Sequence, residues 1–247
     1  MHGFVDDGNC GGVWELAQNR QVTSPPNDNP GNLLGHLFRS HPWHGVSIGS
    51  NAPDVVTCFI EIVPTDRVKY EIDKSSGYLK VDRPQLYSNI CPAPYGFVPQ
   101  TYCGPRVAGI SAMRAGRPGI EGDKDPLDVC VLTLSPITHS DLLLRARPVG
   151  GLRMIDGHEA DDKIIAVLEG DGLYGGFREL SEIPPAVVDR LVHYFETYKL
   201  KPGATQKTTE VAHAFGRDEA HMVIRAAHED YTELFGHLKR QLDEAFE

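Results

Sequence analysis

Asp123-Lys124-Asp125-Pro126-Leu127-Asp128 puts three carboxylates within six positions, and its reading decides how the rest of the chain must fold. Pro126 can neither donate a backbone hydrogen bond nor continue a helix, so the stretch is a bend and its acids converge. Like charges about 4 Å apart repel by roughly 4 kcal/mol at an effective dielectric near 20, so acids crowded in this way either protonate or hold a cation. Hard divalent ions such as magnesium meet that need with oxygen ligands. A solvated acidic turn is the plain alternative, since Asp is common in turns. A calcium loop of the EF-hand type is excluded: Leu127 and Asp128 stand where it needs a ligand and a glycine, and Leu134 where it needs a bidentate Glu.

Upstream of the bend, Gly104 to Gly122 is Gly-rich and carries Arg106, Arg114 and Arg117 against the single acid Glu121, which reads as an exposed insertion open to an anion. Before it, Cys91-Pro92-Ala93-Pro94-Tyr95-Gly96-Phe97 is a proline-punctuated loop. Val55 to Val63 is a β-branched and aromatic strand, and Val68 to Ile72 with Tyr78 to Val81 form a hairpin about Lys74-Ser75-Ser76-Gly77. Glu61 points away from Ile60 and Ile62, and Lys69 shares a face with Glu71, by the two-residue strand period. Met1 to Pro53 is a turn-rich arm. Its His36, His41 and His44 read as structural or surface groups, because His41-Pro42-Trp43-His44 has no acidic or thiol companion.

Downstream, Asp128 to Leu134 is a strand. Leu142 to Val149 and Lys163 to Leu168 are two more, bracketing a second acidic loop from Asp156 to Asp162. Gly170-Asp171-Gly172-Leu173-Tyr174-Gly175 formally matches G-x-G-x-x-G, but Pro184-Pro185 precedes any helical period, so this is a turn-rich loop without a phosphate-binding helix start. Pro184 to Leu200 carries Val187, Val188, Leu191, Val192 and Phe195 at helical steps. Asp218 to Phe246 is a longer helix with Val223, Ile224, Ala227, Tyr231, Leu234, Leu238 and Leu242 on one stripe. The expected organisation is an arm over 1–53 and one domain over 54–247, including an insertion at 104–122 and the long helix 218–246. Its class is α+β, a small β-barrel with helices packed at the carboxyl end.

A chain of 247 residues suffices for one sizeable core, and 40% hydrophobic with 23% charged is ordinary for a globular protein. A formal charge of -10 argues against a general nucleic-acid or membrane-surface binder. Five cysteines, odd in number and without C-x-x-C spacing, imply free thiols in a reducing cytoplasm. The amino terminus has acids where a signal peptide needs a basic patch, and no segment approaches membrane-spanning length.

In a closed barrel, residues far apart in sequence can face one cavity. Glu61, Asp123, Asp125, Asp128, Asp156 and Asp161 would then supply hard oxygen ligands, and Lys69, Arg83, Lys163 and Lys199 fixed positive charge: together, a site for a polyphosphate anion. A noncatalytic barrel module binding oligonucleotides or other anions is the alternative.

These residues resemble the family I soluble inorganic pyrophosphatases. Asp123-Lys124-Asp125-Pro126-Leu127-Asp128-Val129 fits that family's D-x-D-P-x-D-V signature. Glu61-Ile62, Lys69-Tyr70-Glu71-Ile72-Asp73-Lys74, Gly77, Val81-Asp82-Arg83, Tyr95-Gly96-Phe97, Arg147-Pro148-Val149-Gly150, Asp156, Asp161, Lys163 and Tyr198-Lys199 are similar to its landmarks, in its order. His41-Pro42-Trp43-His44 is similar to the plant-type branch. The resemblance implies an OB-like five-stranded closed barrel with flanking helices and magnesium-dependent hydrolysis of pyrophosphate, several ions serving each site and some arriving with substrate. It further implies that Asp123, Asp128 and Asp161 bind a first metal, Asp128 a second, and Asp156 with Asp161 a further one, while Glu61 acts through a coordinated water. Lys69, Arg83, Tyr95, Lys163, Tyr198 and Lys199 would hold phosphoryl oxygens, Asp125 would accept the proton of the attacking water, and Glu71 would support them. A homo-oligomer is compatible with the family. One departure stands out: Cys91 occupies a position where the family usually has tyrosine. That leaves one hydrogen bond in doubt and raises the expectation of a thiol-sensitive site, against a buried inert cysteine.

Overall fold

The computed structural model describes residues 39–86, 89–201, 203–204 and 207–245; expectations for residues 1–38, which hold most of the arm with Cys10 and His36, and for Phe246 lie outside them. The β-branched run yields β1 (Val56–Ile62), and the hairpin expected after it is β2 (Val68–Ile72) and β3 (Leu79–Pro84). There follow β4 (Tyr95–Phe97), α1 (Pro105–Ala115), β5 (Glu121–Gly122), β6 (Asp128–Leu132) and β7 (Leu142–Asp156). The chain continues as β8 (Glu159–Ala160), β9 (Lys163–Leu168), α2 (Pro185–Thr197), β10 (Thr209–Gly216) and α3 (Arg217–Ala245).

Five strands close a ring in the order β1-β4-β6-β9-β7, with β7 returning to β1 from Val56↔Ala146 to Ile60↔Leu142. This is the expected OB-like barrel. Closure requires β4 to lie tight on β1, and Gly96 permits it: a Cβ there would stand 1.9 Å from the Phe59 carbonyl oxygen. β6 and β9 pair in parallel at the centre of the wall. Val129, Val131, Ile164 and Ala166 join a core shared with α1 and α3, while Cys130, Leu132, Ile165 and Val167 join a second core under α2. Burial on both faces explains why these strands read as continuous apolar runs rather than as alternation.

Three segments differ from the sequence reading. β7 does not stop at Val149. Pro148 sits where the register with β9 slips, and the bent strand runs on to Asp156, pairing β10 from Gly150↔Gly216 to Asp156↔Thr209. Gly151 is required by contact, since a Cβ would come within 2.4 Å of the Phe215 ring. The strand β10 itself was not anticipated. Gly104 to Gly122 is not an exposed insertion: it forms α1, ends at Gly116 with φ 64°, and buries Val107, Ala108 and Ser111. Gly104 has no side chain to cap this helix, and Asp230 of α3 does so instead, accepting the Arg106 N–H at 3.0 Å and its guanidinium at 2.8 Å. Arg117 pairs with Glu210, so these arginines are held by the protein's own acids. The apolar stripe of α3 is buried through Tyr231, but Leu234 and Leu238 are exposed.

His41 and His44 have the expected structural role. The Trp43 indole donates to the Thr101 carbonyl at 2.7 Å, and the His44 ring stacks on Trp43 and lies 3.0 Å from the Tyr231 hydroxyl. Burial, with His41 beside it, pushes the His44 imidazole down to about 4. An unfolded-state imidazole titrates near 6.5, so between pH 6.5 and 4 the unfolded chain binds more protons and stability falls as pH falls. His44 is only half-buried, and after discounting for solvent the contribution is about 1 kcal/mol. Chemical unfolding of His44→Gln is therefore expected to show a loss of stability from pH 7 to 5 smaller by that amount than wild type; an equal loss in both proteins would contradict it.

Candidate active site

The acidic bend is fixed by the chain around it. The Asp125 N–H donates to Asp123 Oδ1 at 2.9 Å, the Leu127 N–H to Thr101 Oγ1 at 2.9 Å, and the Cys103 N–H to the Asp125 carbonyl at 2.8 Å. Lys124 sits at φ 66°, the left-handed turn that reverses the chain between the two acids. With these backbone groups satisfied, the side chains of Asp123, Asp125 and Asp128 project into a cavity of about 190 Å³.

The barrel brings the other groups to the same mouth. Glu61 comes from the end of β1, Lys69 and Glu71 from β2, Tyr95 from β4, Asp156 from the end of β7, Asp161 from the link between β8 and β9, Lys163 from the start of β9, and Tyr198 and Lys199 from just past the end of α2; all line this one cavity. Arg83 does not line it. It pairs with Asp82 at 2.6 Å, and Asp82 also holds Lys69 at 3.1 Å, so the guanidinium stands at the rim across the hairpin from Lys69. Lys74, Glu159 and Tyr194 also line the cavity, although the sequence reading assigned none of them a role in it. A signal existed for Tyr194, since it stands four residues before Tyr198 on the same helical face.

Eight carboxyl side chains and four lysines face one another here. Asp128 is their junction, accepting the Tyr95 hydroxyl at 2.6 Å and the Lys163 ammonium, which also reaches Asp161. Lys74 pairs with Asp125, and Lys199 with Asp156. Burial works against the Lys163 charge, but Asp128 and Asp161 more than offset it and hold its pKa well above the ordinary value. The acids remain in excess. Burial, then Asp161, pushes Asp123 up to about 8; burial, with Asp128 adding to it, pushes Glu61 up to about 8 although Glu61 accepts the Ile72 N–H at 2.7 Å. Among the described residues no three of these carboxylates yet converge as a closed ligand cage, because lysines stand between them. The donor set nonetheless fits a hard divalent ion: it is all oxygen, opens to solvent at the cavity mouth, and carries more negative charge than its lysines neutralise.

Cys91 is fully buried, donates to the Ala93 carbonyl at 3.2 Å, and is pushed by burial up to about 12. Such a thiol forms almost no thiolate at neutral pH, so the expectation of a thiol-sensitive site is corrected in favour of an inert cysteine. Cys58, Cys103 and Cys130 are likewise free and buried. No helix among the described residues is long and apolar enough to cross a membrane.

A five-stranded closed barrel with eight carboxyls and four lysines at one mouth defines a class of protein that holds small, highly charged ions. Residues 58–232 match the family described as inorganic pyrophosphatase. An inorganic pyrophosphatase of Chlamydia trachomatis is 50% identical over 203 residues, covering 81% of this chain and 97% of that protein. The soluble inorganic pyrophosphatase 2 of Chlamydomonas reinhardtii is 37% identical over 208 residues, covering 84% and 96%. The crystal structure of the Thermus thermophilus inorganic pyrophosphatase superposes with a TM-score of 0.65 at 28% identity, covering 78% of this chain and 99% of that one. The chain belongs to the inorganic pyrophosphatase family, and membership implies a hydrolase that uses divalent metal.

Proposed function

We infer that this chain hydrolyses inorganic pyrophosphate to two phosphates by direct in-line attack of water, with magnesium as its metal. The observation that carries the reading is the charge of the cavity: with eight carboxyls against four lysines, it would repel a bare polyphosphate anion and admits one only together with multivalent cations. Asp123, Asp128 and Asp161, with Asp156 and Glu61 beside them, would hold those ions, and bound there the ions would acidify the attacking water and neutralise charge on the phosphates. Lys163, held between Asp128 and Asp161, would offer its positive charge to a phosphoryl oxygen at that junction. Lys69, Lys199, Tyr95 and Tyr198 bind and orient the phosphoryl oxygens, with Arg83 reaching in from the rim. Asp125, half-exposed and paired with Lys74, accepts the proton of the attacking water. The leaving phosphate is stabilised by the same fixed positive charges, so no covalent intermediate on the enzyme is needed.

A phosphate-release assay on protein stripped with chelator tests this. Pyrophosphate turnover is expected to fall at least a hundredfold without metal and to return with magnesium. Unchanged turnover in the stripped protein would refute the metal-dependent reading. A noncatalytic anion binder would release no phosphate under either condition.

A further inference from the structure

Helix α2 presents one more phenol to the cavity than the resemblance assigns. Tyr194 lies one turn before Tyr198, and the two rings stack with centroids 5.4 Å apart at 29°. Tyr194 is 8% exposed and lines the cavity, so what is open of it faces the site. The Cys91 thiol belongs to the same buried cluster and gives its hydrogen to the Ala93 carbonyl, so its sulfur can offer the phenol only a weak acceptor. Buried phenols ordinarily find a strong partner. The Tyr194 hydroxyl has no hydrogen-bond partner among the described residues, and it stands at the wall of an anion site.

We propose that Tyr194 is a substrate-positioning residue whose hydroxyl donates to a phosphoryl oxygen of bound pyrophosphate or product phosphate. The proposal deepens the pyrophosphatase reading of this cavity and rests on it. Binding would give the phenol the charge-assisted O–H···O partner it lacks in the free protein, and such bonds are the strong ones. Burial, followed by the neighbouring Cys91, raises the Tyr194 pKa, so the group keeps its proton and remains a donor. It also accounts for the departure at position 91. Cys91 is fully enclosed in the cluster that Tyr194 also joins, so a phenol at 91 would compete for the same packed volume. The phenol is supplied from α2 instead.

Tyr194→Phe removes one oxygen and keeps the ring. It is expected to raise KM for magnesium pyrophosphate about tenfold, the size of one hydrogen bond to a charged group, with kcat within about twofold of wild type. Calorimetry with inorganic phosphate and magnesium should show affinity reduced by a similar factor, while the unfolding temperature stays within about 2 °C. A role confined to packing would move the unfolding temperature and leave KM and phosphate affinity alone. KM and phosphate affinity both unchanged in Tyr194→Phe, with wild type turning over pyrophosphate, would overturn the assignment. Wild type that binds phosphate but releases none from pyrophosphate would instead defeat the reading of the site as hydrolytic, and the calorimetric comparison would still decide the role of Tyr194.

Discussion

Asp128→Asn is expected to lower kcat/KM for magnesium pyrophosphate by a hundredfold to a thousandfold, the cost of losing one group that stabilises charge where it develops. The size of the effect follows from position. Asp128 is the acid at which the bend, the barrel and the basic groups meet: it accepts from Tyr95 and Lys163, and Lys163 links it to Asp161. Asparagine keeps the shape and one acceptor oxygen for Tyr95 but halves the ligand capacity and removes the charge. Lys163 keeps Asp161 as partner, so the fold should survive, with the unfolding temperature lower by about 5 °C at most. Activity should recover only partly at high magnesium, because the missing ligand weakens ion binding and the missing charge also alters Lys163. Turnover within tenfold of wild type would contradict the placing of Asp128 at the centre of the site.

Arg153→Met carries the largest expected cost in stability. Arg153 and Asp162 are both fully buried, 2.7 Å apart, and Arg153 also reaches Glu219 of α3 at 2.8 Å. The pair is poorly angled: both Asp162 oxygens and the Arg153 Nε lack hydrogen-bond partners, and burial pushes Asp162 up to about 7 in spite of the guanidinium. Removing the arginine leaves Asp162 enclosed with no counter-charge, which typically costs about 3–5 kcal/mol. In a chain of this size that is a fall of roughly 10 °C in unfolding temperature. The double variant Arg153→Met with Asp162→Asn should regain much of the loss, since the stranded charge is gone. Measured at pH 8, where Asp162 is ionised, a fall below 2 °C in the single variant would show that the pair is not a structural tie. Asp162 precedes Lys163 and follows Asp161, so loosening it should also reduce activity, though less than Asp128→Asn does.

The acid bend, the hairpin, β9 and the two carboxyl-terminal helices were legible in the chain because each is marked locally, by proline and aspartate spacing, by alternation, or by a helical stripe. The β6 and β9 runs were legible for another reason: strands covered on both faces have no polar side to show. α1 was hidden because Gly104, Gly109 and Gly116 mask a short apolar period, and its cap comes from Asp230, far along the chain. The length of β7 was hidden because Gly150-Gly151 reads as a stop, whereas a close approach to Phe215 requires it.

The residue types alone determined what the side chains can offer, hard anionic oxygens and fixed cations, because charge and ligand preference belong to the side chains themselves. Which of them meet was decided only by closure of the barrel. It buries Glu61 beside Asp128, sets Lys163 between Asp128 and Asp161, leaves Arg83 off the cavity wall, and lays Tyr194 along that wall against Tyr198. Distances between groups on separate strands are set by sheet pairing and helix packing, and no local pattern in the chain encodes them.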